Sequence, residues 1–237
     1  MTDMSNNSAA TALPFDLVVF DLDGTLVDTG PDLTASLNHA LGRLGRQTVT
    51  EAAVRDMVGL GAAKLLERGL DATGGGTPEL VAEGLDSFLS YYAANICVHS
   101  RPFAGVEAAM DRLADMGVRL AICTNKPEAL SRALVDALGW TGRFAANIGG
   151  DTLAVRKPDP AHVHEAVQRG GGGRAAFVGD SIVDVTAARA AGVPVVTVGF
   201  GFADRPADQL GGDVLIHHYD ELLPALASLV RRGSDRQ

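Results

Sequence analysis

The sequence predicts an α/β fold: a doubly wound, Rossmann-like parallel sheet core with an inserted α-helical cap domain. Three observations predict it. Short apolar, β-rich runs recur along the chain, separated by segments of helical spacing. Between residues 31 and 98 the alternation stops, and helical patterning continues with no convincing strand. The unusual polar residues follow directly on the ends of the apolar runs, where an open α/β sheet binds its ligands.

The first run, Asp16-Leu17-Val18-Val19-Phe20-Asp21, has the length and composition of a strand buried on both faces of a parallel sheet. Val118 to Cys123, Phe144 to Ile148, Ala175 to Gly179 and Val193 to Val198 repeat the pattern, and Val214 to Ile216 is a weaker copy. Between them, Val106-Ala109-Met110-Leu113 and Leu130-Leu134-Ala137-Leu138 carry helical stripes. Inside the interruption, Leu33, Leu37, Ala40, Leu41 and Leu44 form one stripe, followed by helical segments over Glu51 to Val58, Ala62 to Leu70 and Pro78 to Tyr92. Thr77-Pro78-Glu79 is a helix start: a capping hydroxyl, proline at the first helical position and a carboxylate in the first turn. Gly74-Gly75-Gly76 is a flexible turn before it, and Gly170 to Gly173 is a loop. These readings divide the chain into core residues 13–30, a helical cap over 31–98 and core residues 99–230.

Composition excludes several classes. Of 237 residues, 46% are hydrophobic and 21% charged, which is ordinary for a globular chain and not for a disordered one. The formal charge of −9 argues against nucleic acid as a partner, although a local cluster of cations would still capture a small anion. Cys97 and Cys123 make no CxxC pair and cannot staple a fold, so a reducing, cytoplasmic setting is expected. Met1 to Ala12 has neither the basic nor the apolar region of a signal peptide and reads as a frayed tail. No run is long enough to span a membrane.

Four run ends deliver chemistry: Asp21, Asp23 and Thr25 after the first, Thr124, Asn125 and Lys126 after the second, Lys157 beyond the third, and Asp180, Ser181 and Asp184 after the fourth. Carboxylates gathered in one crevice repel unless a hard cation bridges them, so Asp21, Asp23 and Asp180 imply Mg²⁺. Mg²⁺ also accepts a phosphate oxygen. Thr124 and Asn125 carry donors for phosphoryl oxygens, Lys157 offsets their charge, and a central carboxylate is a candidate nucleophile.

In chain order, Asp21-Leu22-Asp23-Gly24-Thr25-Leu26-Val27-Asp28, Thr124-Asn125-Lys126, Lys157-Pro158 and Gly179-Asp180-Ser181-Ile182-Val183-Asp184 resemble the four motifs of the haloacid dehalogenase superfamily of phosphatases. The resemblance runs from about Leu17 to Leu226 and includes the helical insertion after the first motif. It implies Asp21 as nucleophile, Asp23 as general acid/base, and Mg²⁺ held by Asp21, the Asp23 carbonyl and Asp180, with Asp184 in support. Thr124, Asn125 and Lys157 would hold the phosphoryl group. Three further segments are similar to the bacterial phosphoglycolate phosphatases of that superfamily: Val58-Gly59-Leu60-Gly61 with Lys64 to Leu70, Arg101 to Val106, and Thr197 to Gly201. Gly59, Leu60, Gly61 and Lys64 are therefore the candidates in the cap for touching substrate. Lys64 and Arg68 share a helix face and could supply the second cation that a phosphorylated carboxylic acid needs. The expected partner is a small phosphorylated substrate, handled by a monomer or homodimer.

Competing readings are weaker. A calcium loop counted from Asp21 would need glycine and glutamate where Leu26 and Asp32 stand. There is no GxxxxGK[ST] loop, no GxSxG elbow, and Gly199-Phe200-Gly201 lacks the third glycine of a dinucleotide site. His162 and His164, two apart on a helix, do not face one way and make no metal pair. Sugar phosphates or pyrophosphate are the alternative substrates. A β-phosphoglucomutase-type transfer is disfavoured by Thr25, and a phospho-accepting signalling domain by the cap and by Asp23.

Overall fold

The computed structural model describes residues 13–202 and 205–234; the tail expected to fray lies outside them. Six parallel strands form one sheet: β1 (Leu17–Phe20), β4 (Arg119–Cys123), β5 (Ala146–Ile148), β6 (Ala175–Gly179), β7 (Val195–Val198) and β8 (Val214–Ile216). A separate two-stranded ribbon is made by β2 (Val27–Asp28) and β3 (Arg101–Pro102). The order across the large sheet is β5-β4-β1-β6-β7-β8, so the chain winds outward from β1 first in one direction and then in the other. β1 pairs with β4 through Val18↔Leu120 and with β6 through Val18↔Ala176.

Strand alternation divides the core in two. Val18, Phe20, Leu120, Ile122 and Val178 point to one face, where they meet α5 (Val106–Asp115) and α9 (Leu222–Ser234). Leu17, Val19, Ala121, Cys123 and Phe177 point to the other, against α7 (Pro160–Arg169) and α8 (Ile182–Ala190). The apolar runs are continuous because each strand is covered on both sides. They read slightly longer than the strands: the run from Val193 pairs only from Val195, since Pro194 has no N–H to give and contributes its carbonyl to Phe177 instead.

The interruption is helical as expected, with α1 (Gly30–Arg43), α2 (Glu51–Arg55), α3 (Ala62–Ala72) and α4 (Pro78–Ala94). The second of these is shorter than its sequence segment, ending at Arg55 before a turn through Asp56 and Met57. Thr77 caps α4 by accepting from the Leu80 N–H. Leu37, Leu41, Leu66, Leu70, Phe88 and Tyr92 close a third apolar cluster among these helices, and Leu130 of α6 (Glu128–Ala137) joins it from the core side. Each fully buried leucine there contributes about 1.5–3 kcal/mol.

The β2–β3 ribbon had no apolar signature in the sequence, being two residues wide. It lays the exit to the helical segment beside the return, pairing Val27 with Pro102 and Asp28 with Arg101. The buried Asp32 carboxylate ties the same crossing. It accepts from the His99 N–H at 3.0 Å, the Ser100 N–H at 2.8 Å and the Ser100 hydroxyl at 2.7 Å. No helix among the described residues is long and apolar enough to cross a membrane.

Candidate active site

The winding direction reverses at β1, and a crevice opens there outside the carboxyl ends of the strands. Asp21 leaves β1, Thr124 leaves its neighbour β4, and Asp180 leaves its other neighbour β6. Residues far apart in sequence become adjacent because their strands are adjacent.

Asp21 is buried, with its Oδ1 accepting the Leu22 N–H at 2.7 Å and lying 3.0 Å from the Lys157 ammonium. Lys157 also contacts Asp184 Oδ1 at 2.6 Å. Asp184 in turn shares a capping box with Ser181 at the start of α8. Asp180 is gripped from two sides, by the Thr25 hydroxyl on Oδ1 at 2.9 Å and the Phe202 N–H on Oδ2 at 2.6 Å. Gly24 makes this approach possible: it sits at φ +81°, and a Cβ there would lie 2.3 Å from Asp180 Oδ2.

Burial dominates the electrostatics. It lifts the Asp21 carboxyl to about 6, with Lys157 pulling it down and the Asp184 and Asp23 charges adding to the rise. Burial likewise pushes Asp180 well above the usual carboxylate range, reinforced by Asp184 and Asp21 and opposed by the Phe202 and Thr25 donors. For Lys157, burial opposes the charge, but Asp184 and Asp21 outweigh it and hold the ammonium above the ordinary lysine value.

These residues suit a divalent cation. Carboxylate oxygens of Asp21, Asp180 and Asp184 all lie within 4.8 Å of one another, buried. Lys157 is the ammonium between two of them, so when all three carboxylates are ionised two negative charges are left for a bound cation to offset. An all-oxygen donor set of that charge fits a hard ion such as Mg²⁺.

Above this cluster lies a cavity whose walls come from both parts of the chain: Asp21, Asp23, Thr124, Asn125 and Lys126 from the strand ends, Gly59, Gly61, Leu65, Phe88 and Tyr92 from the helical segment. Thr124 takes its place through its N–H to Ile148 and accepts the Lys126 N–H on its hydroxyl at 3.3 Å. Asn125, expected as a phosphoryl donor, spends its amide nitrogen on two carbonyls, Gly59 at 2.9 Å and Lys157 at 3.0 Å. It thus clasps the helical segment to the core. Of the four candidates in that segment, Gly59 and Gly61 line the cavity, and Leu60 and Lys64 stand outside its lining. Lys64 is paired with Glu67, 2.6 Å distant on the same half-buried helix face. Arg68 donates to the Met57 carbonyl.

Sequence reasoning attached no role to Lys126 or Tyr92. Lys126 Nζ lies 2.9 and 3.2 Å from the Asp23 carboxylate oxygens and 2.5 Å from the Tyr92 hydroxyl. The lysine stood in plain sight, directly after Thr124-Asn125. Nothing marked Tyr92, whose position in α4 reads as one more apolar helix residue. His162 is a buried core histidine with Nε2 2.9 Å from the Gly149 carbonyl.

Comparison with known proteins identifies the family. A family model for haloacid dehalogenase-like hydrolases matches residues 15–192. A phosphoglycolate phosphatase of Mesorhizobium japonicum is 46% identical over 223 residues, covering 92% of this chain and 97% of that protein. The phosphoglycolate phosphatase of Agrobacterium fabrum is 42% identical, covering 92% and 95%. Among solved structures, a predicted phosphoglycolate phosphatase from Haemophilus somnus superposes with a TM-score of 0.84 at 32% identity, over 90% of this chain and 98% of that one. The chain belongs to the haloacid dehalogenase-like hydrolase family and groups with that family's phosphatases.

Proposed function

We propose that this hydrolase is a Mg²⁺-dependent phosphomonoesterase that converts 2-phosphoglycolate to glycolate and phosphate through an aspartyl phosphate on Asp21. The observation that carries the reading is the buried Asp21, Asp180 and Asp184 cluster, of which Asp21 lines the cavity, with Asp23 two residues beyond the nucleophile and lining the same space. Asp21, Asp180 and the Asp23 carbonyl would hold the metal, with Asp184 in support. Bound there, Mg²⁺ would offset charge on the phosphoryl oxygens and keep the Asp21 carboxylate ionised.

Asp21 attacks phosphorus in line, and the Asp23 carboxyl gives its proton to the departing alkoxide. Asp23 then takes a proton from the water that opens the aspartyl phosphate. The Lys157 ammonium and Thr124 hydroxyl hold the phosphoryl oxygens, and Asn125 keeps the cap edge against them. In this reading residues 31–98 are a cap over a core of residues 13–30 and 99–230, and its closure excludes water during attack. Two free cysteines, Cys97 and Cys123, are in keeping with an enzyme of the cytoplasm.

The cavity's apolar wall favours a small acid over the alternative sugar phosphates. Leu33, Val58, Leu65 and Phe88 offer sugar hydroxyls no hydrogen-bond partner. The test is Mg²⁺-dependent phosphate release from 2-phosphoglycolate beside pyrophosphate and several sugar phosphates, with EDTA and Asp21→Asn as controls. The reading expects kcat/KM for phosphoglycolate at least about tenfold above the rest, or about 1.4 kcal/mol of transition-state discrimination. Preference for another ester would refute the substrate and keep the chemistry.

A further inference from the structure

We propose that Lys126 reads the substrate's carboxylate, selecting esters that carry a carboxylate beside the phosphate, and that Tyr92 of the helical segment holds it in place to do so. The proposal rests on the phosphoglycolate reading above and names the residue that would enforce it.

Lys126 is the one cation among the described residues lining the cavity. Its side chain is 3% exposed, so its charge is not dissipated by solvent. An ammonium has three protons. The Asp23 carboxylate engages one edge of Nζ and the Tyr92 hydroxyl another, at 2.5 Å, with the tyrosine ring centroid 4.3 Å from the nitrogen. With one proton shared between the two Asp23 oxygens, at 2.9 and 3.2 Å, and a second given to Tyr92, one donor is left for the cavity.

Position makes the assignment specific. Asp23 must reach the ester oxygen, and in 2-phosphoglycolate the carboxylate carbon is two covalent bonds from that oxygen. A cation 2.9 Å from Asp23 Oδ1 therefore sits beside the substrate's own carboxylate once the ester is seated. The other cations nearby are placed differently. Lys157 is held between Asp21 and Asp184, Lys64 is paired with Glu67, and the exposed Arg156 lies against Gly61.

The experiment compares 2-phosphoglycolate with 2-hydroxyethyl phosphate, which carries a hydroxymethyl group in place of the carboxylate. Wild type, Lys126→Met, Lys126→Gln, Tyr92→Phe and Arg156→Ala are assayed with both esters, and folding is checked by thermal denaturation. Lys126→Met is expected to lower kcat/KM for phosphoglycolate about 100-fold and that for 2-hydroxyethyl phosphate only a few-fold, so the preference collapses. Lys126→Gln, which keeps a polar partner for Asp23, answers the same question if the methionine variant fails to fold. Tyr92→Phe should raise KM for phosphoglycolate alone. An equal fall for both esters would mean that Lys126 acts only through Asp23 and would overturn the proposal, as would collapse of the preference in Arg156→Ala but not in the Lys126 variants. A wild type that does not prefer phosphoglycolate would overturn the substrate reading itself, before any variant is consulted.

Discussion

The Thr25 hydroxyl donates to Asp180 Oδ1 at 2.9 Å across 155 residues of sequence. With the Phe202 N–H on the other oxygen, it settles which way the Asp180 carboxylate faces. Thr25 itself is anchored by the Tyr219 hydroxyl, which donates to its carbonyl at 2.8 Å. Such outer partners orient metal ligands and tune their affinity. Thr25→Val keeps the shape and removes the donor. We expect the Mg²⁺ concentration for half-maximal phosphate release to rise about tenfold; an unchanged metal requirement would count against Asp180 as a ligand.

Asp21→Asn should abolish turnover and leave the fold intact. It also has a pH signature in the metal-free protein. Burial lifts Asp21 to about 6 in the folded state from its ordinary 3.8, so the folded chain holds this proton more tightly than the unfolded chain between those values. Stability contributed by this group is therefore present at low pH, falls as pH rises through that window, and levels off above it. In EDTA at pH 7 the asparagine variant is expected to be more stable than wild type, by an amount on the order of 3 kcal/mol. The difference should vanish toward pH 4, as followed by urea denaturation at each pH. A difference that does not change with pH would contradict the burial argument.

Lys157→Met leaves Asp21 and Asp184 buried without their ammonium. Breaking a buried pair on one side costs about 3–5 kcal/mol. We expect a lowered denaturation midpoint in EDTA, partly restored by Mg²⁺, and no measurable turnover even where the variant is fully folded. Wild-type stability in EDTA would show that Lys157 does not compensate these charges.

Thr77→Ala removes the hydroxyl that accepts the Leu80 N–H at the start of α4. Thr77 is exposed and does not line the cavity, so the expected loss is about 1 kcal/mol of stability. With kcat unchanged at temperatures well below unfolding, the variant serves as a control for effects of cap stability on rate. A large fall in kcat would mean that fraying of this helix reaches the cavity.

Much of the site was legible because strand ends carry it. Asp21, Thr124 and Asp180 each follow an apolar run directly, and the rule that ligands bind outside the carboxyl ends of a parallel sheet places them together without coordinates. Thr77-Pro78-Glu79 was readable for a local reason, since a helix cap involves only neighbours in sequence. Two candidates have partners that the sequence did not announce, and for a common reason. Lys64 was a reasonable cation on a helix face, and its partner Glu67 lies three residues on and engages its charge. Asn125 offered an amide suited to phosphate, yet two backbone carbonyls from distant segments claim it.

By itself the sequence determined the alternation of strands and helices, the helical interruption and the four clusters of reactive residues, because periodicity, capping and motif spacing are properties of neighbouring residues. Tertiary structure decided the strand order that reverses at β1, the β2–β3 ribbon joining the two crossings, and the meeting of Tyr92 with Lys126 and Asp23. Those depend on which surfaces pack together. A helix pattern records that Tyr92 turns inward, but not that the inward direction ends on an ammonium 34 residues away.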